Sequence, residues 1–551
     1  MSRAIARARP PAGDTTAWPH DRLDDDPVEC AEPAPTRRVR ATAWPAERRR
    51  RIAGGIGLGV VIGVAAPLAV LLHRNGHHQG DDFALYLRQA RSLFDGDMAQ
   101  VVADNRFTVL NSPGPFSPVA YPWGWPLLLA PFVHVWGYDF DRLKLLEVVC
   151  FCVWLVLVHG IVRRRAGRLF AFAIVAVVGT APMLLAHTDF LLSEYPHALA
   201  LGVFVWWLDR ITADGTLLQA TTRRLVVLGV LAGVAYNVRR ESVVLVGVIA
   251  ITQLVAWATA RRHRMDGVAR ERRRRRAWRA VGAPYAGFVA FVVGFQLLLP
   301  SMLIPDNDDT ITFVPERIGD YLGSLTRSLG LATHENLGAA LLLMALAGMV
   351  VGCWRRPRLN VPLAALTLLS TLAVSTHLRL VERYYFQVLP WVLYFAATFV
   401  IAVAGAVSTV RWRRLAPLVA VVPLLYVVGV HAVVLPAALD RVEAQERGGR
   451  QQFGPADPVV QPIFQAVLDH TPPDAVITYY RARTMTLLTD RRAIQTRRTQ
   501  DMLERSDYFA QLRNAKYSQP DVTPFAAREL GLEEVWSDAR WVLWKVPPPP
   551  D

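Results

Sequence analysis

The stretch "RRRRIAGGIGLGVVIGVAAPLAVLLHRNGHHQGDDFALYLRQARSLF", residues 48–94, orients the chain before any other part of it is considered. Four arginines open it, an apolar run over about 52–73 follows, and two adjacent carboxylates, Asp81 and Asp82, stand at the far end. At about 1.5 Å per residue, such a run is long enough for a helix to cross bilayer hydrocarbon. Arginine clusters are retained on the cytoplasmic side, so Arg48 to Arg51 face inward and the two acids outward. A charge at that boundary is either a solvated loop residue or a working acid or base, and the choice depends on what else the chain brings there.

The same pattern repeats along the 551 residues, of which 52% are hydrophobic and 19% charged. Apolar segments fall at about 52–73, 143–162, 168–186, 195–208, 224–237, 242–259, 281–299, 337–353, 359–376, 385–407 and 415–435. The arginine clusters Arg163–Arg165, Arg223–Arg224, "ARERRRRRAWR" at 269–279, "WRRPR" at 354–358 and "RWRR" at 411–414 then all share the side of Arg48–Arg51. The expectation is an all-α polytopic membrane protein of about eleven transmembrane helices, N-terminus cytoplasmic, with a small extracytoplasmic α/β domain at the C-terminus. Residues 1–44, rich in Pro, Ala, Asp and Arg without periodicity, read as a disordered cytoplasmic tail without a cleavable leader. The membrane domain occupies 45–436, with a long outer loop at 74–142. The outer domain, 437–551, shows helix, Pro turn, strand "AVITYY" and further helix at 462–494, and a hairpin in "EEVWSDARWVLWKV" at 533–546. The formal charge of +15 sits between apolar runs, so it reports topology and excludes nucleic acid as the partner. The four cysteines, three of them in or beside apolar runs, form neither a disulfide framework nor a zinc site.

On the outer side, Phe83, Leu87, Ala90 and Phe94 repeat at helical spacing, which predicts a short amphipathic helix lying in the interface with Asp82 and Tyr86 on one face. "AYPWGWPLLLAPFVHVWG" at 120–137 reads as a turn and a re-entrant or interfacial helix too short to span. "TDFLLSEYP" at 188–196, "YNVRRES" at 236–242 and "LVERYYFQVLP" at 380–390 bring further acids and outward arginines to the same surface.

These stretches resemble the polyprenyl-phosphate-dependent glycosyltransferases of the GT-C fold, the group that includes protein O-mannosyltransferases and aminoarabinose transferases. The similarity rests on Asp82 four residues before Tyr86, on "YPWGWPLLLAPF" from Tyr121, on Ser193 and Glu194 with Pro196, on Arg239, Arg240 and Glu241, and on Arg383, Tyr384 and Pro390. It covers roughly residues 50–435 and is carried by motif order. Arg240 replaces a Pro of the family pattern, and Tyr121 stands where some relatives carry a Lys that contacts the donor phosphate. The resemblance implies a membrane glycosyltransferase moving a sugar from a polyprenyl phosphate to an extracytoplasmic glycan, lipid or protein of the cell envelope. It implies Asp82 as general base with Glu194 assisting, Arg239 and Arg383 on the phosphate, and Asp81, Tyr86, Tyr121, Asp189, Arg240 and Tyr384 completing the substrate-binding set. Neither a metal nor another cofactor is expected, because a single phosphate leaves with less charge than a pyrophosphate. Such chemistry suits these residue types: a carboxylate takes the acceptor proton and faces the developing positive charge, and a guanidinium fork fits phosphate oxygens.

Plainer readings compete. An Asp or Glu at a helix start is commonly an N-cap, and outward arginines snorkel to lipid headgroups. Asp306, Asp308 and Asp309 suit a solvated loop better than a metal site, and His77, His78 and His134 suit the interface. A secondary transporter or a non-catalytic assembly scaffold would also place charges at helix ends, although no internal repeat is visible.

Overall fold

The structure, a computed structural model, describes residues 43–113, 118–213, 215–260, 267–300, 318–331, 335–375, 381–407, 416–448, 452–514 and 518–548. Most of the expected N-terminal tail, and Asp306, Asp308 and Asp309, lie outside them. The chain divides into two compact units, Met1–Ala53 and Gly54–Asp551. In the first, the described residues are the opening turns of a helix, α1 (Ala43–Leu71); the second holds everything that follows.

Three short helices make up the segment between α1 and α5: α2 (Asp82–Asp95), α3 (Met98–Asn111) and α4 (Gly124–Trp136). Then come α5 (Phe140–Ala166), α6 (Arg168–Thr180), the short α7 (Pro182–His187), α8 (Glu194–Ala213), α9 (Thr222–Val238), α10 (Val244–Ala260) and α11 (Gly267–Leu298). The amphipathic α12 (Ile318–Ser328) precedes α13 (Glu335–Arg355), α14 (Pro357–Ser375), α15 (Leu389–Val407) and α16 (Ala416–Arg447). Every expected apolar segment is thus helical. Among the described residues seven helices, α5, α10, α11 and α13 to α16, are long and apolar enough to cross a membrane. The other four are shorter or more polar: the apolar parts of α1 and α6 are Gly55–Leu71 and Arg168–Thr180, α9 has 17 residues, and α8 carries Glu194, Asp209 and Arg210. The protein is a multi-pass membrane protein.

Lipid gives apolar side chains no reason to leave it, so membrane helices associate by close backbone approach and by pairing of polar groups. Both devices are present. α9 packs on α11, where a side chain at Gly229 would collide with the carbonyl of Pro284. Where α5 meets α8, Arg165 grips Asp209 bidentately at 2.5 and 2.8 Å and also donates to the Leu359 carbonyl at 2.8 Å. The rest of α5 divides by face: Phe151, Trp154, Leu155 and Val158 are buried, whereas Val149, Val153 and Val156 point outward.

After α16, which continues past the expected boundary at 436, the chain forms α17 (Gln461–His470), β1 (Val476–Thr478), α18 (Ala482–Thr489), β2 (Arg492–Ile494), α19 (Thr499–Arg505), β3 (Tyr508–Leu512), α20 (Pro524–Glu529), β4 (Glu533–Ser537) and β5 (Trp541–Lys545). The strands lie in the order β2-β1-β3-β5-β4, parallel between β1 and its two neighbours and antiparallel around β5. The period of two in "WVLWK" sends Trp541 and Leu543 into one core, with Ile477 and Ala510, and Val542 and Trp544 into another, with Met502 and Phe509.

This C-terminal layer sits on the segment between α1 and α5. Gln452 donates its backbone N–H to Asn75 and Gln79 donates its own to Phe453, at 3.0 and 2.9 Å, and any side chain at Gly454 would strike the His77 carbonyl. α18 packs on α2, with Leu487 in one cluster with Phe83, Leu87, Trp125 and Leu129. The expectation of an interfacial α2 therefore needs correction. Every residue from Phe83 to Ala90 is buried, because α4 covers one side and α18 the other. Phe94, the last residue of the expected apolar stripe, is 54% exposed and stacks on His134 with ring centroids 4.4 Å apart.

Candidate active site

The loop leading to the two acids is pinned from beneath. Lys144 of α5, fully buried, donates to the carbonyls of Arg74 (2.7 Å) and Gly76 and pairs with Asp141 at 3.2 Å and Asp189 at 2.9 Å. Asp189 also accepts from the Arg74 backbone (3.1 Å), from Arg74 Nε (2.9 Å) and from Gln452 Nε2 (3.0 Å). A buried ammonium is tolerated only with this degree of pairing. Asp189, expected among the substrate-binding residues, anchors the loop instead of joining Asp82. His77, wholly buried, fills the space above, its ring centroid 4.0 Å from that of Phe83, and takes the Leu191 N–H at 3.2 Å on Nε2.

Asp81 stands at the N-cap position of α2 yet makes no side-chain cap there. Its Oδ1 accepts the backbone N–H of Arg483, in the first turn of α18, at 3.2 Å, and its Oδ2 faces Arg481 Nη1 at 3.4 Å. It therefore caps a helix some four hundred residues away, whose first N–H groups have no intrahelical partner. Thr484 Oγ1 donates to the Gly80 carbonyl at 2.6 Å beside it. Burial pushes the Asp81 carboxyl above its ordinary value, against the pull of Arg481 and Arg483.

Asp82, one residue on, keeps 40% of its side chain exposed. Tyr121 donates its hydroxyl to Oδ1 at 2.7 Å, Arg383 Nη2 stands 3.4 Å from Oδ2, and Arg483 Nη1 is 4.0 Å from Oδ1. Burial of its surroundings would raise this carboxyl as well, but Arg383, the Tyr121 hydroxyl, Arg483 and Arg239 outweigh it and hold Asp82 below the usual carboxylate range. Tyr121 is moved the other way, well above the usual phenol value, by burial and by the Asp82 charge, so it remains a donor.

From Asp82 the charges run inward. Arg383, in the 3₁₀ turn Glu382–Tyr385, reaches Glu194 Oε1 with Nε at 3.0 Å, and Arg239, which ends α9, meets the same oxygen with Nη1 at 3.0 Å. Arg239 also binds Glu241 Oε1 at 2.8 Å through Nη2 and lies 3.5 Å from Ser193 Oγ, which accepts the Tyr86 hydroxyl at 3.0 Å. The Tyr384 ring lies within cation–π range of both guanidiniums, 4.9 Å from Arg239 and 5.5 Å from Arg383. Asp82, Tyr86, Tyr121, Glu194, Arg239, Arg383 and Tyr384 thus converge from five separate stretches of chain. Arg240 sits next to them in the 3₁₀ turn Arg240–Val243. Glu194 is 5% exposed, and its Oε2 has no hydrogen-bond partner among the described residues.

Sequence reasoning missed Arg481 and Arg483. Nothing in "YYRARTMTLL" distinguishes them from other surface arginines, because only the folded tail carries α18 across to the loop before α2. Among the described residues no group of three or more His, Cys, Asp and Glu side chains is placed to hold a metal ion.

A helical membrane body, a folded segment between α1 and α5 and a C-terminal α/β layer packed over helix ends that carry acids and arginines make up a polytopic membrane fold that solved structures share. Among solved structures, the chain is similar to ArnT from Cupriavidus metallidurans, bound to undecaprenyl phosphate, with a TM-score of 0.53, 12% identity and coverage of 92% of this chain and 98% of that one. The apo state of the same ArnT aligns with a TM-score of 0.51, 13% identity and coverage of 89% and 98%. The oligosaccharyltransferase of Archaeoglobus fulgidus aligns with a TM-score of 0.48, 11% identity and coverage of 83% and 69%. No family model and no curated protein matches the sequence.

Proposed function

We propose that the protein is a membrane glycosyltransferase that moves a sugar from a polyprenyl phosphate to an acceptor hydroxyl in the cell envelope, on the extracytoplasmic side. Asp82 is the general base. It takes the acceptor proton as the acceptor oxygen attacks the anomeric carbon, and the bond from that carbon to the phosphate oxygen breaks with its electron pair leaving on the phosphate. Arg383 and Arg239 neutralise the departing anion, with planar forks that fit its oxygens. Glu194, between them, fixes their spacing and assists in orienting the acceptor. Tyr86 and Tyr384 shape the walls, and no metal is required.

The observation that carries this reading is the chain of contacts from Tyr121 through Asp82 and Arg383 to Glu194 and Arg239. A scaffold has no need of a partly exposed carboxylate held ionised beside two arginines. The like-folded ArnT binds undecaprenyl phosphate, which supports a lipid of that class as the donor carrier.

The test is mass spectrometry of membrane lipids and envelope glycans from cells lacking the protein. A sugar-charged polyprenyl phosphate accumulates and one glycosylated product disappears, and the wild-type gene, but not Asp82→Asn, restores both. Unchanged lipid and glycan profiles contradict the proposal.

A further inference from the structure

The C-terminal layer supplies Arg483, whose position invites a role of its own. The side chain is 4% exposed. Nε donates to Asn105 Oδ1 at 2.9 Å, Nη2 to the Pro118 carbonyl at 2.7 Å, and Nη1 to the Tyr121 hydroxyl at 3.5 Å, while the guanidinium carbon lies 5.5 Å from the Tyr121 ring centroid. Its backbone N–H is held by Asp81. A guanidinium engaged this fully by the protein is poorly suited to bind a substrate phosphate. It is well suited to aim another residue.

We infer that Arg483 is a positioning residue for the base: it holds Tyr121 in place and polarises its hydroxyl toward Asp82, so that the C-terminal layer completes the site formed by the first outer segment. The geometry forms a relay in which Arg483 donates to the Tyr121 oxygen and Tyr121 donates to Asp82 Oδ1. A donor that is itself hydrogen-bonded by a cation gives a stronger bond to a carboxylate. Asn105 and the Pro118 carbonyl fix the guanidinium from the side away from Asp82. The groups facing Asp82 are Arg383 and Arg239 from the membrane domain, Tyr121, Asp81 and His78 from the outer loop, Tyr86 one turn along α2, and Arg483 from α18. Arg483 is the member of this set contributed by the tail, and it reinforces the ionisation that Arg383 begins.

The inference deepens the catalytic reading of Asp82, yet its test needs no turnover. pH-difference infrared spectroscopy of the full-length protein in nanodiscs isolates the Asp82 carboxyl band as the one lost in Asp82→Asn. In Arg483→Gln the midpoint of that band is expected to rise by about one pH unit, as loss of a nearby opposite charge dictates. Tyr121→Phe is expected to raise it similarly, and Arg483→Lys to recover part of the shift. A folded Arg483→Gln protein with an unmoved midpoint overturns the inference. Should Arg483→Gln fail to fold, an unmoved midpoint in Tyr121→Phe overturns it equally. A shifted midpoint in a protein whose Asp82→Asn variant still restores the glycan sustains the relay and removes the catalytic reading.

Discussion

Asp82 accepts the Tyr121 hydroxyl and faces two arginines, while Asp81 accepts a backbone N–H from another part of the chain. Their pKa values move in opposite directions, and the consequences for pH do too. Asp82 is depressed, so the stabilisation from its ion pairs is present above the ordinary carboxylate value and is lost as pH falls through the depressed one. Asp81 is raised, so its contribution is present at low pH and is lost as pH rises through its folded value. Accordingly kcat/KM is expected to show no loss attributable to Asp82 between pH 7 and about pH 5, since even an unshifted Asp titrates near 3.9. A pH–rate profile of the wild type checks this. Asp81→Asn, which keeps the acceptor for the α18 N–H, is expected to melt no lower than wild type, whereas Asp81→Leu loses the cap and about 1 kcal/mol or more. Thermal unfolding of the two variants separates them. The spacing of Asp82 and Tyr86 was legible in the sequence because four residues make one helical turn. Which acid faced the site was not, since Asp81 is claimed by a helix far along the chain.

At the scale of elements, part of the tail followed from local pattern, namely alternation in "WVLWK", a short apolar run in "AVITYY" and the Pro turn before it, whereas β2, α19, β3 and α20 did not. α2 followed from its helical repeat, yet its surroundings did not. A helix that lies in an interface and one buried between two others carry the same apolar stripe, and only the tail's fold shows that α18 packs against it. Gly454 makes that docking possible by lying against the His77 backbone. Gly454→Val is expected to loosen the tail by about 1–3 kcal/mol, an overpacking cost. Limited proteolysis should then cut residues 452–548 faster than in wild type while the membrane helices remain protected; equal rates contradict the docking.

Across the whole molecule, hydropathy was enough to lay out the helices, because lipid forces every backbone group to be satisfied within its own segment. The Arg165–Asp209 pair was not legible, since its two residues lie on different helices. Asp209→Ala leaves a buried guanidinium without its partner and is expected to cost about 3–5 kcal/mol, seen as loss of monodisperse protein in detergent. The proposed orientation is read by cysteine labelling in a cysteine-free background. A membrane-impermeant maleimide is expected to reach a cysteine at Asp474, exposed in the tail, in intact cells, and one at Arg358 only after lysis. The central claim is that Asp82 removes the acceptor proton while a lipid-borne sugar departs, and turnover by purified full-length protein tests it most directly. Given radiolabelled lipid-linked sugar from the deletion strain and its acceptor fraction, Asp82→Asn is expected to transfer about 100- to 10,000-fold more slowly than wild type, with undecaprenyl phosphate still bound in native mass spectrometry. Transfer at the wild-type rate by a folded Asp82→Asn protein would contradict it.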